Sequence, residues 1–153
     1  MRKTFFKMLW CCTFGAVAVV FAQSDLLSEM PVEKQVKVSR EWVQKNTSVK
    51  YVKRHRLASF DKGQFTKQSI LLKLNLFDDV KYKVKLDKVV TEGVENLWAG
   101  TLDDDPQSIV NIYCDGQYAS GYIETGNRIF SIISCGEDVL VKEVEKDKLP
   151  NID

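Results

Sequence analysis

The sequence is short of the residues on which most active sites depend. It has a single histidine, His55, among 153 residues, and only three prolines and four cysteines. The motifs H-E-x-x-H, C-x-x-C, the P-loop and the glycine-rich dinucleotide turn are all missing, so no common zinc, thiol-redox or nucleotide site is indicated. A catalytic triad or a Cys–His pair would have to use His55, which lies among lysines and arginines. We therefore expect no catalytic residue, no metal ligand and no cofactor, and a surface position for His55.

An excess of charge of one sign is missing as well. The chain has 22 basic and 21 acidic residues, with a formal net charge of +1. Proteins that bind nucleic acid present a basic excess clustered on one face. The composition therefore predicts no nucleic-acid partner.

The first residues have the composition of a secretory signal. Arg2, Lys3 and Lys7 precede the apolar run 8–21, and Val20 and Ala22 occupy the −3 and −1 positions of a cleavage site. This pattern predicts a signal peptide over residues 1–22 and a mature chain from residue 23, exported to the periplasm or the exterior without a stable membrane span. An uncleaved N-terminal anchor is the alternative.

Two of the four cysteines lie inside this leader, which leaves Cys114 and Cys135. In an exported chain such a pair is a candidate disulfide. The strand predicted over residues 117–124 lies between them, so the bridge would have to reach around a strand end.

The first part of the mature chain is ambiguous. Residues 23–48 are a polar lead-in in which 31–46 has near-helical spacing of apolar residues, with a strand through Val36 and Val38 as the rival. Residues 49–57 combine apolar residues with four lysines and arginines. We interpret them as an edge strand whose charges discourage pairing with other chains, with a basic docking strip as the alternative.

Residues 70–86 carry the strongest pattern in the chain. Aliphatic residues alternate through 70–76 and apolar residues through 80–86, on either side of Asp78 and Asp79. A period of two is typical of half-buried strands, and the aspartates indicate either a hairpin or a kink.

Further strands are predicted at 97–102, 108–114, 117–124, 128–135 and 139–144, with turns at Asp115-Gly116 and Thr125-Gly126-Asn127. The fold class is therefore mainly β: an antiparallel sheet, meander or sandwich over residues 49–150, with one possible N-terminal helix.

Two other features of the sequence leave a choice open. Three consecutive aspartates, 103–105, could bind Ca²⁺, although a solvated turn before Pro106 is the simpler interpretation. Trp98, Tyr118 and Tyr122 could form a platform for a glycan or small ligand, or they could belong to the core.

Several short segments, in this order, resemble a known family. They are LNLFDDV at 74–80, WAG at 98–100, DPQS at 105–108, GYI at 121–123 and the end of the chain from Lys142 to Pro150. Together, over residues 49–150, they resemble the N-terminal propeptide-like region of secreted bacterial zinc metalloproteases of the reprolysin-like kind.

The resemblance implies a propeptide-like module without its enzyme, because the sequence ends at Asp153, where such proteases continue into their catalytic domain. The expected function is therefore that of a secreted, non-enzymatic module that binds a protein, with a metalloprotease as the implied partner and a chaperone or inhibitor role. No residue is assigned to partner binding. The alternatives are a truncated zymogen remnant and an envelope or surface ligand-binding module.

Overall fold

The computed structural model describes residues 25–35, 37–64, 71–92 and 95–149. The predicted signal peptide, residues 1–22, lies outside the described residues, and so does Ile70. The strands are β1 (Leu27–Glu29), β2 (Val52–Phe60), β3 (Leu71–Phe77), β4 (Val80–Glu92), β5 (Glu95–Leu102), β6 (Asp105–Cys114), β7 (Ala119–Thr125), β8 (Arg128–Cys135) and β9 (Asp138–Glu145). The α-helices are α1 (Val32–Gln35) and α2 (Arg40–Thr47), and short 3-10 turns span Lys62–Gln64 and Lys146–Lys148.

The nine strands form one antiparallel sheet that curls into a nearly closed barrel. Its order is β1-β2-β9-β8-β7-β6-β5-β4-β3, so the strands from β3 to β9 follow one another as a meander and β2 then pairs with β9. The prediction of a mainly β, antiparallel fold is confirmed.

Alternation along the strands decides which side chains fill the barrel. In β3, Leu72, Leu74 and Leu76 are buried, and the intervening Lys73 and Asn75 are partly exposed. The largest interior side chains are Trp98 and Phe130, and Tyr82 packs edge-on against Phe130 at 6.0 Å between ring centroids. The pleat therefore places one apolar set inside, as the period of two predicts.

The turns agree with the sequence in two cases out of three. Asp78 and Asp79 form a tight hairpin between β3 and β4, which settles the choice between a hairpin and a kink. Gly126 and Asn127 form the predicted turn, with Gly126 at φ 56°. The prediction of a two-residue turn at Asp115-Gly116 is wrong, because Cys114 pairs with Ala119 and the loop spans four residues.

The predicted helix over 31–46 is present only in pieces. The side-chain oxygen of Ser39 accepts a hydrogen bond from the Trp42 backbone N–H at 3.3 Å, and its own backbone is extended. Ser39 is therefore the N-cap of a new helix, so α1 and α2 are separate helices and not one. Of the rival strand through Val36 and Val38, Val36 lies outside the described residues, and Val38 is at a bend and not in a strand.

The predicted disulfide is not formed: Cys114 and Cys135 are free thiols. Cys114 pairs with Ala119 across β6 and β7, and the backbone N–H of Ala119 in turn donates to the Ser134 side chain on β8. Cys114 is therefore separated from β8 by two strand spacings of about 4.8 Å each. Their sum exceeds the Cα–Cα distance of about 7 Å that a disulfide tolerates. Cys135 is also one residue beyond Ser134, so it points to the opposite face of the sheet.

The sheet does not close completely, because β2 and β3 are not paired with each other; we call the gap between them the seam. At one end β1 fills it, pairing with Ala58–Phe60 of β2. At the other end the Arg56 side chain donates to the backbone oxygens of Asn75 and Leu76, the second at 2.7 Å. Among the described strands none pairs with Val52–Leu57 on this side, so the first part of β2 is an edge, and the role of its charges in discouraging pairing stays a prediction.

Candidate functional site

We call α1, α2 and the described residues between them the helical segment. An open groove of about 630 Å³ lies between this segment and the ends of two hairpins. We call it the aromatic groove. Its walls are Lys34, Lys37, Val38, Ser39 and Trp42 from the helical segment, Tyr118 from the β6–β7 loop, and residues 134–138 from β8, its turn and β9. The volume falls within the range of about 300–1,000 Å³ that is common for ligand sites.

The loop that carries Tyr118 is held rigidly. The Asp115 carboxylate accepts hydrogen bonds from the backbone N–H groups of Gln117 at 2.9 Å and Tyr118 at 2.6 Å, and these bonds hold the pKa of Asp115 below its usual range. The Lys62 ammonium donates to the Gly116 carbonyl oxygen at 2.7 Å. Gly116 adopts φ 87°, a conformation that glycine reaches without strain. The Tyr118 side chain nevertheless stays 58% exposed.

The groove combines apolar surface with charges of both signs. Lys34 and Asp138 form an ion pair at 3.8 Å, and Lys37 and Glu137 contribute one further charge of each sign. Cys135 is half-buried, and burial, helped by the nearby Asp138 carboxylate, raises the pKa of its thiol to about 11. Because the thiolate is the reactive form of cysteine, Cys135 is a poor nucleophile here.

A second polar cluster surrounds the buried carboxylate of Glu143. Glu143 is only 1% exposed and accepts hydrogen bonds from Arg54 at 2.6 Å and from Arg128 at 3.1 Å. Arg54 also forms a two-fold hydrogen bond with the Asp79 carboxylate, at 2.7 and 3.0 Å, and lies 4.2 Å above the Phe77 ring. This cluster joins β2, β8 and β9 to the β3–β4 turn. We therefore interpret the cluster as one that stabilises the fold.

The outer face of β5 to β8 is also partly apolar. Leu97, Tyr113, Tyr122 and Ile133 line a shallow depression there, and Leu97 and Tyr122 are each 39% exposed. The Tyr122 hydroxyl donates to Glu124 at 2.5 Å. The residues that line this depression all come from the sheet, whereas residues of the helical segment also line the aromatic groove. The outer face is therefore the weaker candidate.

The structure separates the three aromatic residues that the sequence suggests as a platform. Trp98 is 1% exposed and belongs to the core, Tyr118 lines the aromatic groove, and Tyr122 lies on the outer face. Trp42, the partner of Tyr118 in the groove, was missed. The only signal for it is a large aromatic residue in a segment rich in charged and polar residues.

The other candidate residues have ordinary positions. His55 is an exposed residue of β2, and Asp103 and Asp104 form the turn between β5 and β6. Arg54 and Arg56, half of the predicted basic strip, point to other parts of the barrel. Across residues 25–35, 37–64, 71–92 and 95–149, no group of three or more His, Cys, Asp or Glu side chains could hold a metal ion.

No family model, curated protein or solved structure matches this chain. The resemblance to metalloprotease propeptides therefore stays a prediction. In the described ranges, no helix combines the length and the apolar composition needed to cross a membrane.

Proposed function

We propose that this protein is an exported, non-enzymatic binding module that contacts a protein partner through the aromatic groove. The observation that carries the proposal is the 58% exposure of Tyr118 on a loop held by Asp115 and Lys62. A rigid loop loses little conformational freedom on binding, so more of its contact energy contributes to affinity. Tyrosine and tryptophan are also among the residues that most often dominate the energetics of protein interfaces.

The groove suits a polypeptide ligand. Trp42, Val38 and Tyr118 offer apolar contact, and Lys37 and Glu137 can pair with flanking charges of either sign. The resemblance to protease propeptides implies a secreted zinc metalloprotease as the partner, with the module acting as a chaperone or an inhibitor.

The test uses the mature chain from residue 23 and a panel of secreted zinc metalloproteases. Complex formation is measured by biolayer interferometry, and proteolysis and refolding yield are measured in parallel. We expect Tyr118→Ala and Trp42→Ala each to weaken the complex about 30-fold, the effect of losing a residue worth about 2 kcal/mol at an interface.

Tyr122→Ala is the matched control, because it removes a partly exposed tyrosine outside the groove. It should leave the affinity within about threefold of the wild type, a difference of less than 1 kcal/mol. A complex weakened only by Tyr122→Ala would move the binding site to the outer face. If there is no complex and no change in proteolysis or refolding yield, the protease proposal is wrong and the truncated zymogen remnant becomes the better interpretation.

The volume of the groove favours one second candidate, an envelope or surface module for a glycan or small ligand. The mature chain from residue 23 contains two tryptophans, Trp42 and Trp98, and Trp98 is buried. A sugar stacking in the groove would therefore change the fluorescence of Trp42, and the change would disappear in Trp42→Phe. A flat titration with oligosaccharides would exclude this candidate.

A further inference from the structure

At one end of the seam, a short segment near the beginning of the described chain joins β2 to β3. We call residues Asp25–Glu29 the closing segment, and the gap between the end of β2 and the beginning of β3 the slot. On the β2 side, Leu27–Glu29 pairs antiparallel with Ala58–Phe60. On the β3 side, Asp25 forms a parallel bridge with Lys73, and the Leu26 N–H donates to the Lys73 carbonyl oxygen at 2.9 Å.

The slot recognises side chains as well as backbone. Leu26 and Leu27 have no solvent exposure, and both belong to the main core of the barrel. The neighbouring Ser28 and Glu29 are exposed. The Leu26 carbonyl oxygen accepts from the Asp61 N–H at 2.9 Å, which fixes the register of the segment. The slot therefore buries two adjacent leucines between two strand edges, the first at a bend in the chain and the second in β1.

The partners of the closing segment all lie far from it in the sequence. The contacts described above are with residues 58–61 and 73, and Met30 and Pro31 connect the segment to α1. Opening the segment breaks few hydrogen bonds but exposes two buried leucines, so the opened state is rare and an empty slot favours taking up the same pair of leucines again. The slot makes the same contacts whether the segment comes from its own chain or from another.

We propose that the slot is a strand-binding site that also takes the closing segment of a second copy of this chain, producing a strand-exchanged dimer. Within one chain the segment is present at an effective concentration in the millimolar range. The exchange is therefore expected at high protein concentration, or after the barrel has been opened by heating and closed again by cooling. It is independent of the aromatic groove.

The first test uses the mature chain with Leu26→Asp and Leu27→Asp, whose own segment cannot be buried in an apolar slot. A fluorescent peptide with the sequence of residues 23–31, QSDLLSEMP, is titrated into this variant. We expect saturable binding by fluorescence anisotropy and a higher melting temperature at saturation. A control peptide with the same two substitutions should bind more than about tenfold more weakly, because it lacks both buried leucines.

The second test uses the wild-type chain, heated, cooled and analysed by native mass spectrometry over a range of concentrations. A dimer should form, and the double variant treated in the same way should stay monomeric. An equal dimer yield from the double variant would overturn the proposal, as would a wild-type melting temperature in that variant. If the double variant does not fold, the proposal is tested on the wild type alone, and a wild-type chain that stays monomeric at every concentration after heating and cooling overturns it.

Discussion

Replacing Glu143 by glutamine should destabilise the barrel by about 2 kcal/mol. Removing one partner from a buried ion pair costs about 3–5 kcal/mol, because the remaining charge is left without compensation. Here the cost is smaller. The side chains of Arg54 and Arg128 are 33% and 35% exposed, so water screens them, and Arg54 keeps its bond to Asp79. Glutamine also keeps one side-chain acceptor oxygen.

The measurement is urea unfolding of the mature chain at pH 7, together with the melting temperature. A loss of about 2 kcal/mol corresponds to a fall of roughly 6–10 °C for a domain of this size. Glu124→Gln is the matched control, because Glu124 pairs with Lys146 at the surface, and exposed pairs contribute about 0–1 kcal/mol. Equal effects of the two substitutions would refute the reasoning from burial.

The same variant tests the pH dependence. Burial acts to raise the pKa of Glu143, but the hydrogen bonds and charges of Arg128 and Arg54 outweigh it, so this pKa lies below its ordinary value of 4.5. The unfolded chain therefore binds the proton more readily. The stability contributed by the carboxylate is complete above the unfolded pKa and is lost as pH falls through the folded pKa. As the pH falls below the ordinary value of 4.5, the wild type should lose stability more steeply than Glu143→Gln.

Four further predictions concern the core, a close backbone contact and the two thiols. Trp98→Ala should cost about 3–5 kcal/mol in urea unfolding, because the indole is fully buried; a cost below about 1 kcal/mol would contradict its place in the core. Gly100→Ala should cost about 3 kcal/mol or more in the same assay, because the added Cβ would lie 2.1 Å from the Lys85 carbonyl oxygen and force β4 and β5 apart. Iodoacetamide should label native Cys135 slowly at pH 8 and about tenfold faster at pH 9, because the thiol pKa of about 11 lies above both values. Reduction should leave the native mass unchanged, since Cys114 and Cys135 are free; a gain of two hydrogen atoms would show a disulfide.

The fold could be predicted further than the site. The alternating residues of β3 and β4 indicate two strands facing a common core, and the described residues confirm this. The helical segment was less predictable, because its spacing fits one long helix as well as two short ones. The N-cap bond at Ser39 decides between them, and serine is compatible with either arrangement until its backbone conformation is known.

The basic residues of β2 show why the site was harder to predict. Their spacing is compatible with an edge strand and with a docking strip, since both present lysine and arginine to solvent. In the barrel, Arg54 binds Asp79 of the β3–β4 turn, 25 positions away in the sequence, and Arg56 binds the backbone of β3. Both arginines therefore close the seam, and no local pattern could have shown it.

By itself, the sequence determined that this chain forms antiparallel strands with a filled interior, because the pleat sorts alternating residues onto two faces within a single strand. Only the tertiary structure decided how the sheet closes, which arginines share Glu143 and which aromatic residues line a groove. The tertiary structure places Trp42 and Tyr118 on the walls of one groove, and the closing segment between β2 and β3. These positions depend on the order and curvature of nine strands, which short-range periodicity does not contain.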